Sequence, residues 1–245
     1  MESIEYRKMA EVEDTMWYYR ALHVNLAGAL IRHLRVQNAA VLDAGCGTGG
    51  FLRHLARKAS SLDLTGVDFS PLAIELARER AGPQKFAVSD IAALRFATET
   101  FDAVVSADVI CQIAEPQLAL LEIQRVLKKD GLLLLNLPAY EWLYSYHDKA
   151  VGNLRRYSRR PLLRTLRASG FTPLAHTYWN SLPLPLVIAR RKLFSNPTEI
   201  SDVQRYPAPL EFVFRRLMNM EHAWMQAGFR LPFGCSLLVV ARKSS

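Results

Sequence analysis

The chain has 245 residues, half of them hydrophobic, and a formal net charge of +8. This is enough for one large domain with a sizeable core, and no break in composition marks a second. No apolar stretch approaches the roughly 18 residues of a membrane span, residues 182–189 coming nearest, and three widely spaced cysteines without a C-x-x-C pair predict free thiols in a reducing cytoplasm and no metal site.

Residues 1–13 are polar and acidic rather than basic-then-apolar, which predicts no secretory leader. Residues 14–33 read as an amphipathic helix, because Trp17, Leu22, Leu26, Leu30 and Leu34 recur near helical spacing. Trp17, Tyr18, Tyr19 and Arg20 form an aromatic-plus-guanidinium cluster within it. The short apolar run at 41–44 then ends in a glycine-dense turn, Gly45-Cys46-Gly47-Thr48-Gly49-Gly50, with Asp43 two residues ahead of it. Such a turn needs φ angles that a Cβ forbids and lets a ligand lie against bare backbone. The helix expected over 49–58 would aim its free N–H groups at whatever sits above the turn.

Two ligands compete for this loop. Gly45, Gly47 and Gly50 satisfy the dinucleotide pattern G-x-G-x-x-G, and Asp68 lies at about the right distance to hold a ribose. A helix ahead of the first strand argues against a dinucleotide fold that opens directly with that strand. Asp43 and Gly49 tip the balance further, since a carboxylate there can meet a cationic amine but would repel a pyrophosphate. The run Asp43-Ala44-Gly45-Cys46-Gly47-Thr48-Gly49 resembles the first motif of the class I S-adenosylmethionine-dependent methyltransferases.

That resemblance implies a set of cofactor contacts. Asp43, Gly45, Gly47 and Gly49 would seat the methionine portion of S-adenosylmethionine, whose product is S-adenosylhomocysteine. Asp68, ending a continuous apolar strand at 62–68, would take both ribose hydroxyls, with Phe69 packing beside the adenine. Asp90 would meet the adenine amine and Ile91 the ring. Read from the residues themselves, Arg20 could pair with the cofactor carboxylate while its aromatic neighbours cap the site, or the aromatics pack the core and Arg20 stands on the surface. Asp108, delivered to the crevice by a strand at 101–107, completes the cofactor set.

Ser70 and Pro71 are a helix-start signal, N-cap then proline, for a helix over 71–80. A short strand at 84–88, the strand at 101–107, a helix at 116–127, a turn at 128–131 and a strand at 132–137 continue the alternation, and Ser158 and Gly170 bracket a helix at 159–168. Further strands are expected at 171–178 and 236–242. The predicted fold is α/β: a Rossmann-like, doubly wound, seven-stranded sheet, mostly parallel, with the last strand antiparallel as the resemblance implies, plus a helical lid insertion. Its parts are an N-terminal helical cap at 1–38, a core at 39–178, the lid at 179–234 and the last strand at 235–245.

The acceptor side is read from Tyr144-Ser145-Tyr146-His147-Asp148 and Gly152-Asn153-Leu154-Arg155-Arg156-Tyr157, which resemble a His-Asp and Gly-x-x-Arg-Arg-Tyr pattern in a bacterial subgroup of these enzymes. His147, Asp148 and Tyr144 are the catalytic candidates. His147 is the base or orienting group for the acceptor, or else a structural loop residue; Asp148 could instead bind Arg155 or Arg156 and order the loop. Gln112 and Asn153 stand where related sequences often carry histidine, and no Asn/Asp-Pro-Pro-aromatic motif is present, which counts against a nucleic-acid acceptor.

The insertion joins an apolar run at 182–188 to Arg190, Arg191 and Lys192, and a second helix expected at 210–227 would show Val213, Leu217, Met220 and Trp224 on one face. Lid over an apolar pocket, interfacial contact with anionic head groups, and core-covering helical pair all fit this pattern. The arginine clusters at 155–167 and 190–192 fit an anionic partner or a solvated helix surface. The expectation is methyl transfer to a hydrophobic small molecule, such as a lipid, a lipid-linked sugar or a polyketide-like metabolite, most readily at oxygen. The protein would be cytoplasmic with peripheral membrane contact, as monomer or homodimer. A non-catalytic cofactor-binding or membrane-associated scaffold and a nicotinamide-dependent oxidoreductase are the alternatives.

Overall fold

A computed structural model describes residues 3–193 and 201–244. Among them, helices α1 (Ser3–Val12) and α2 (Trp17–His33) precede an alternation of β1 (Ala40–Ala44), α3 (Gly50–Lys58), β2 (Asp63–Asp68), α4 (Pro71–Glu79), β3 (Lys85–Val88), β4 (Phe101–Ala107), α5 (Pro116–Val126) and β5 (Leu127–Pro138). Then come α6 (Tyr146–Val151), α7 (Arg159–Ala168), β6 (Phe171–Trp179), α8 (Leu184–Ile188), α9 (Ala208–Gln226) and β7 (Ser236–Lys243). The seven strands form one sheet in the order β3-β2-β1-β4-β5-β7-β6. Its first five members run parallel, while β7 lies antiparallel between β5 and β6. The doubly wound, mostly parallel sheet expected from the alternation is therefore what the chain forms.

The central strands β1, β4, β5 and β7 carry apolar side chains on both faces because both faces of the sheet are covered. Val41, Leu132 and Leu134 pack on one side with Leu26, Leu30 and Leu52, while their neighbours Leu42, Leu133 and Leu135 pack on the other with Leu120, Ile123 and Leu166. Each such side chain contributes about 1.5–3 kcal/mol on burial. Ser70 does cap α4, accepting the Ala73 N–H at 3.3 Å, and Gly170 takes the left-handed conformation that ends α7. Ser158 stands at the N-cap of α7 but makes no side-chain cap bond.

Three expectations are corrected. The N-terminal helical segment is two helices rather than one from residue 14, because the chain turns at Glu13–Met16 and Glu13 and Asp14 are drawn to Arg53 and Arg80. The turn expected at 128–131 lies inside β5 as a bulge: from Phe101↔Leu127 to Ala103↔Leu132 the pairing takes five steps along β5 for two along β4, and Asp130 sits at φ 59°. In α9 Val213, Met220 and Trp224 of the expected face are solvent-exposed and only Leu217 packs partly on the core, while Phe214, Met218 and Glu221 turn inward instead. Apolar residues occur on two faces of that helix, and docking on α2 selected the second. Phe214 stacks on Trp17 at 4.8 Å, Glu211 accepts the Trp17 N–H, and Arg32 donates to Gln226. Helices α2 and α9 thus pack against each other on the same side of the sheet. No helix among the described residues is long and apolar enough to cross a membrane.

Candidate active site

At the carboxyl edge of β1 and β4, where the strand order reverses, the chain encloses a cavity of about 560 Å³. Its floor is the glycine turn. Gly45, Gly47 and Gly49 all have positive φ, and the N–H groups of Gly45 and Cys46 both donate to Val67 O at 2.8 Å, folding the turn back onto β2. A Cβ at Gly45 would run into Val109, and one at Gly47 into Met9 of α1. Gly45 and Gly47 line the cavity, whereas Gly49 packs away from it against Phe86.

Asp43 and Asp68 face this cavity. Burial pushes the Asp43 carboxyl up to about 8, with Asp68 and Glu13 adding to the rise and, among the described residues, no cation or hydrogen-bond donor offsetting it. Asp68 is raised by burial too, but it is held: Gly47 N–H donates to one oxygen at 3.0 Å, and Ser70 N–H and the Tyr6 hydroxyl donate to the other at 3.0 and 3.1 Å. At the N-terminus of α3 the first N–H group is already claimed by the protein itself. Glu13 takes the Gly50 N–H at 3.1 Å and the Thr48 hydroxyl at 2.6 Å, and Arg53 and Arg80 neutralise it.

Ile91 is buried at the cavity wall beside Asp90, whose Oδ1 accepts the Ala92 N–H at 2.8 Å, and Phe69 stands largely exposed at the mouth. Arg20 is elsewhere. Tyr18 and Tyr19 enter the cavity, but one residue further along α2 the helix has turned Arg20 outward, to a separate surface groove shared with Phe212 and Arg215 of α9.

Asp108 follows β4 at φ 57°, a left-handed conformation that turns its side chain into the cavity. Its Oδ2 accepts the Tyr18 hydroxyl at 2.9 Å and its Oδ1 the Asn136 amide at 3.0 Å. Asn136 in turn accepts Trp179 Nε1–H at 2.7 Å, and Tyr18 stacks on Trp179 at 5.4 Å. Burial raises Asp108 to about 6, against the lowering influence of Tyr18 and Asn136. The sequence pattern passed over Asn136, although an amide inside the apolar run of β5 was the available signal. Tyr6, Met9 and Glu13 also line the cavity, with no pattern in the chain to announce them.

Of the catalytic candidates only His147 reaches the cavity. Its Nδ1 accepts the Asp202 N–H at 3.1 Å, so the neutral ring carries its proton on Nε2 and its lone pair is committed. Burial, then Arg191, hold its pKa well below the ordinary imidazole value. Asp148 is fully buried away from the cavity, capping α6 and bound by Arg156 Nε at 2.9 Å and Asn153 Nδ2 at 3.0 Å. The Tyr144 hydroxyl donates to Asn153 O at 2.8 Å. Asp148 and Tyr144 therefore order the loop, and the pairing with Arg156 is the one realised.

The family profile described as a methyltransferase domain matches residues 42–135. The demethylmenaquinone methyltransferase of Thermotoga maritima is 34% identical over 122 residues, 50% of this chain and 50% of that protein. The malonyl-[acyl-carrier protein] O-methyltransferase of Herminiimonas arsenicoxydans is 34% identical over 139 residues, 54% of this chain and 52% of its own length. The chain thus spans about half the length of these curated relatives. Among solved structures, a chain from the Haloferax volcanii complex of a methyltransferase and its activator superposes with a TM-score of 0.65 at 22% identity, over 99% of this chain and 94% of its own. With this sheet order and this glycine turn, residues 42–135 form a methyltransferase domain of the class I, S-adenosylmethionine-dependent kind.

Proposed function

We propose that the protein transfers the methyl group of S-adenosylmethionine to a hydrophobic small molecule. The observation that carries this reading is that a single cavity joins the domain's glycine turn and acids to an apolar wall formed by Leu186, Val187, Leu210 and Phe214, which lie outside the matched region. Relatives named for quinone, hydroquinone and malonyl-[acyl-carrier protein] methylation support an acceptor of this class.

The residues fit the cofactor. Asp43 is a buried carboxyl raised for want of a positive neighbour, and a sulfonium or ammonium group would supply one. Asp68, Phe69, Asp90 and Ile91 line the same cavity, which supports reading them as the ribose and adenine contacts. Bound there, the cofactor supplies an already activated methyl group, so the chain's work is to hold the acceptor in line and exclude water. Tyr18, Tyr19 and Trp17 of α2 close the cavity from above.

Membrane contact belongs to the same reading. Leu186 lines the cavity yet is 55% exposed, and Leu182, Val213, Met220 and Trp224 are exposed as well, with Arg215 and Arg216 on α9. An apolar stripe bordered by arginines suits a surface of anionic lipids that would present an apolar acceptor.

The deciding experiment is titration of the full chain with S-adenosylhomocysteine by calorimetry, followed by transfer of labelled methyl from S-adenosylmethionine into an organic-phase extract. Micromolar or tighter binding with organic-phase label is expected. Absence of binding, or label confined to the aqueous phase, would refute the reading.

A further inference from the structure

We infer that Asp108 is the group that takes the acceptor's proton, with Tyr18 and Asn136 as the residues that position it; the inference rests on the methyltransferase reading of the cavity. His147 and Asp108 both line the cavity, and their surroundings separate them. The lone pair of His147 is spent on the Asp202 N–H, so the ring presents only a donor to the cavity. Asp108 presents acceptors. Each carboxylate oxygen has two lone-pair directions, and Tyr18 takes one on Oδ2 while Asn136 takes one on Oδ1. The carboxylate lines the cavity with acceptor capacity beyond these two bonds.

Four elements fix this carboxylate: α2 through Tyr18, the end of β4 through its own backbone, β5 through Asn136, and β6 through Trp179, which holds the amide of Asn136. Gln112 adds a bond to the Asp108 carbonyl at 2.8 Å, steadying the left-handed turn. A non-glycine residue kept at positive φ by so many partners marks a side chain whose direction matters. Burial also places its titration near neutrality, where a base combines the correct charge with useful proton affinity. Tyr18, strongly raised by burial and by Asp108 itself, stays protonated and remains a donor.

The step balances without a further reagent. The proton of an acceptor hydroxyl passes to an Asp108 oxygen, and the acceptor's oxygen forms the bond to the methyl carbon. The carbon–sulfur bond breaks with its electron pair left on sulfur, and Asp108 later returns its proton to water. One carboxylate therefore serves a hydroxyl-bearing acceptor methylated at oxygen.

The test compares the full-length wild type with Asp108→Asn and Tyr18→Phe. In ¹³C NMR of the aspartate-labelled protein without ligand, one carboxyl titrating near pH 6 should vanish in Asp108→Asn. That variant should bind S-adenosylhomocysteine within about threefold of wild type and lose about 10²- to 10⁴-fold in methyl transfer to an apolar hydroxyl-bearing extract. The rate of the wild type should rise with pH through a midpoint near 6, and Tyr18→Phe, which removes a bond that lowers the Asp108 pKa, should move that midpoint up. Undiminished transfer by Asp108→Asn, or loss of S-adenosylhomocysteine binding in it, overturns the assignment; failure of the wild type to bind S-adenosylhomocysteine overturns the methyltransferase reading beneath it.

Discussion

The hydroxyl of Tyr6 donates to Asp68 Oδ1 at 3.1 Å, so the N-terminal helix already partners the acid proposed to hold the ribose. Residues 62 positions apart in sequence are in contact there, and a ligand that claims Asp68 must share or displace this bond. Tyr6→Phe removes a competing donor worth about 1 kcal/mol, so affinity for S-adenosylhomocysteine should rise by about fivefold. Weaker binding in calorimetry would show instead that Tyr6 contributes to holding the ligand. Asp68→Ala should cost at least about tenfold in the same titration. An unchanged affinity there would remove the ribose assignment.

Asp43 should make cofactor binding proton-linked. Its pKa in the folded chain stands at about 8, above its ordinary carboxyl value, so near pH 7 it is largely protonated. A positive ligand beside it favours the ionised form, and binding of S-adenosylmethionine at pH 7 should release up to about one proton, read from binding heats in buffers of different ionisation enthalpy. The release should fade above pH 9 and be absent in Asp43→Asn. Because the folded pKa is raised, the contribution of Asp43 to stability without ligand is complete below about pH 4 and is lost as pH rises through 8. Asp43→Asn should flatten that slope in thermal melts.

The Asp148–Arg156 pair should be costly to break. Both side chains are buried and bonded at 2.9 Å, and Arg156 Nη1 also donates to Ala139 O at 3.0 Å. Arg156→Leu leaves a buried carboxylate unpaired and should lower unfolding free energy by about 3–5 kcal/mol in denaturant titration. The double variant Asp148→Asn with Arg156→Leu should recover part of that loss. Equal losses in the single and double variants would mean that the two charges are not coupled.

His147 should behave as a positioning residue. Glutamine can accept the Asp202 N–H through its side-chain oxygen but cannot act as a base near neutrality, so His147→Gln should retain turnover within about tenfold while His147→Ala falls further. Equal inactivation of both, with S-adenosylhomocysteine binding intact, would restore the histidine as the proton acceptor.

The arginines of α9 should set lipid binding. Each basic residue near an anionic surface contributes about 1 kcal/mol, so Arg215→Gln with Arg216→Gln should weaken partitioning onto phosphatidylserine vesicles by roughly 25-fold, and Trp224→Ser should weaken it further. Partitioning that is equal on neutral and anionic vesicles, or insensitive to these changes, would rule the face out.

The chain's local chemistry determined the glycine turn, the alternation of strand and helix and the acids at the strand ends, because each depends on backbone freedom, periodicity or capping within a few residues. Gly45, Gly47, Asp68 and Asp108 could be named for that reason. Only the tertiary structure decided which way α9 rolls, since apolar residues lie on two of its faces and the choice was made by Trp17 and Phe214 stacking across 197 positions of chain. The same holds for Arg20, turned outward by its place on α2, and for His147, whose lone pair is claimed by a backbone amide 55 residues away. Tyr6 on Asp68, Glu13 on the start of α3 and the ring of partners around Asp108 are likewise long-range contacts. A side chain's type is written in the sequence, but its charge state and free lone pairs are set by the neighbours that folding brings to it.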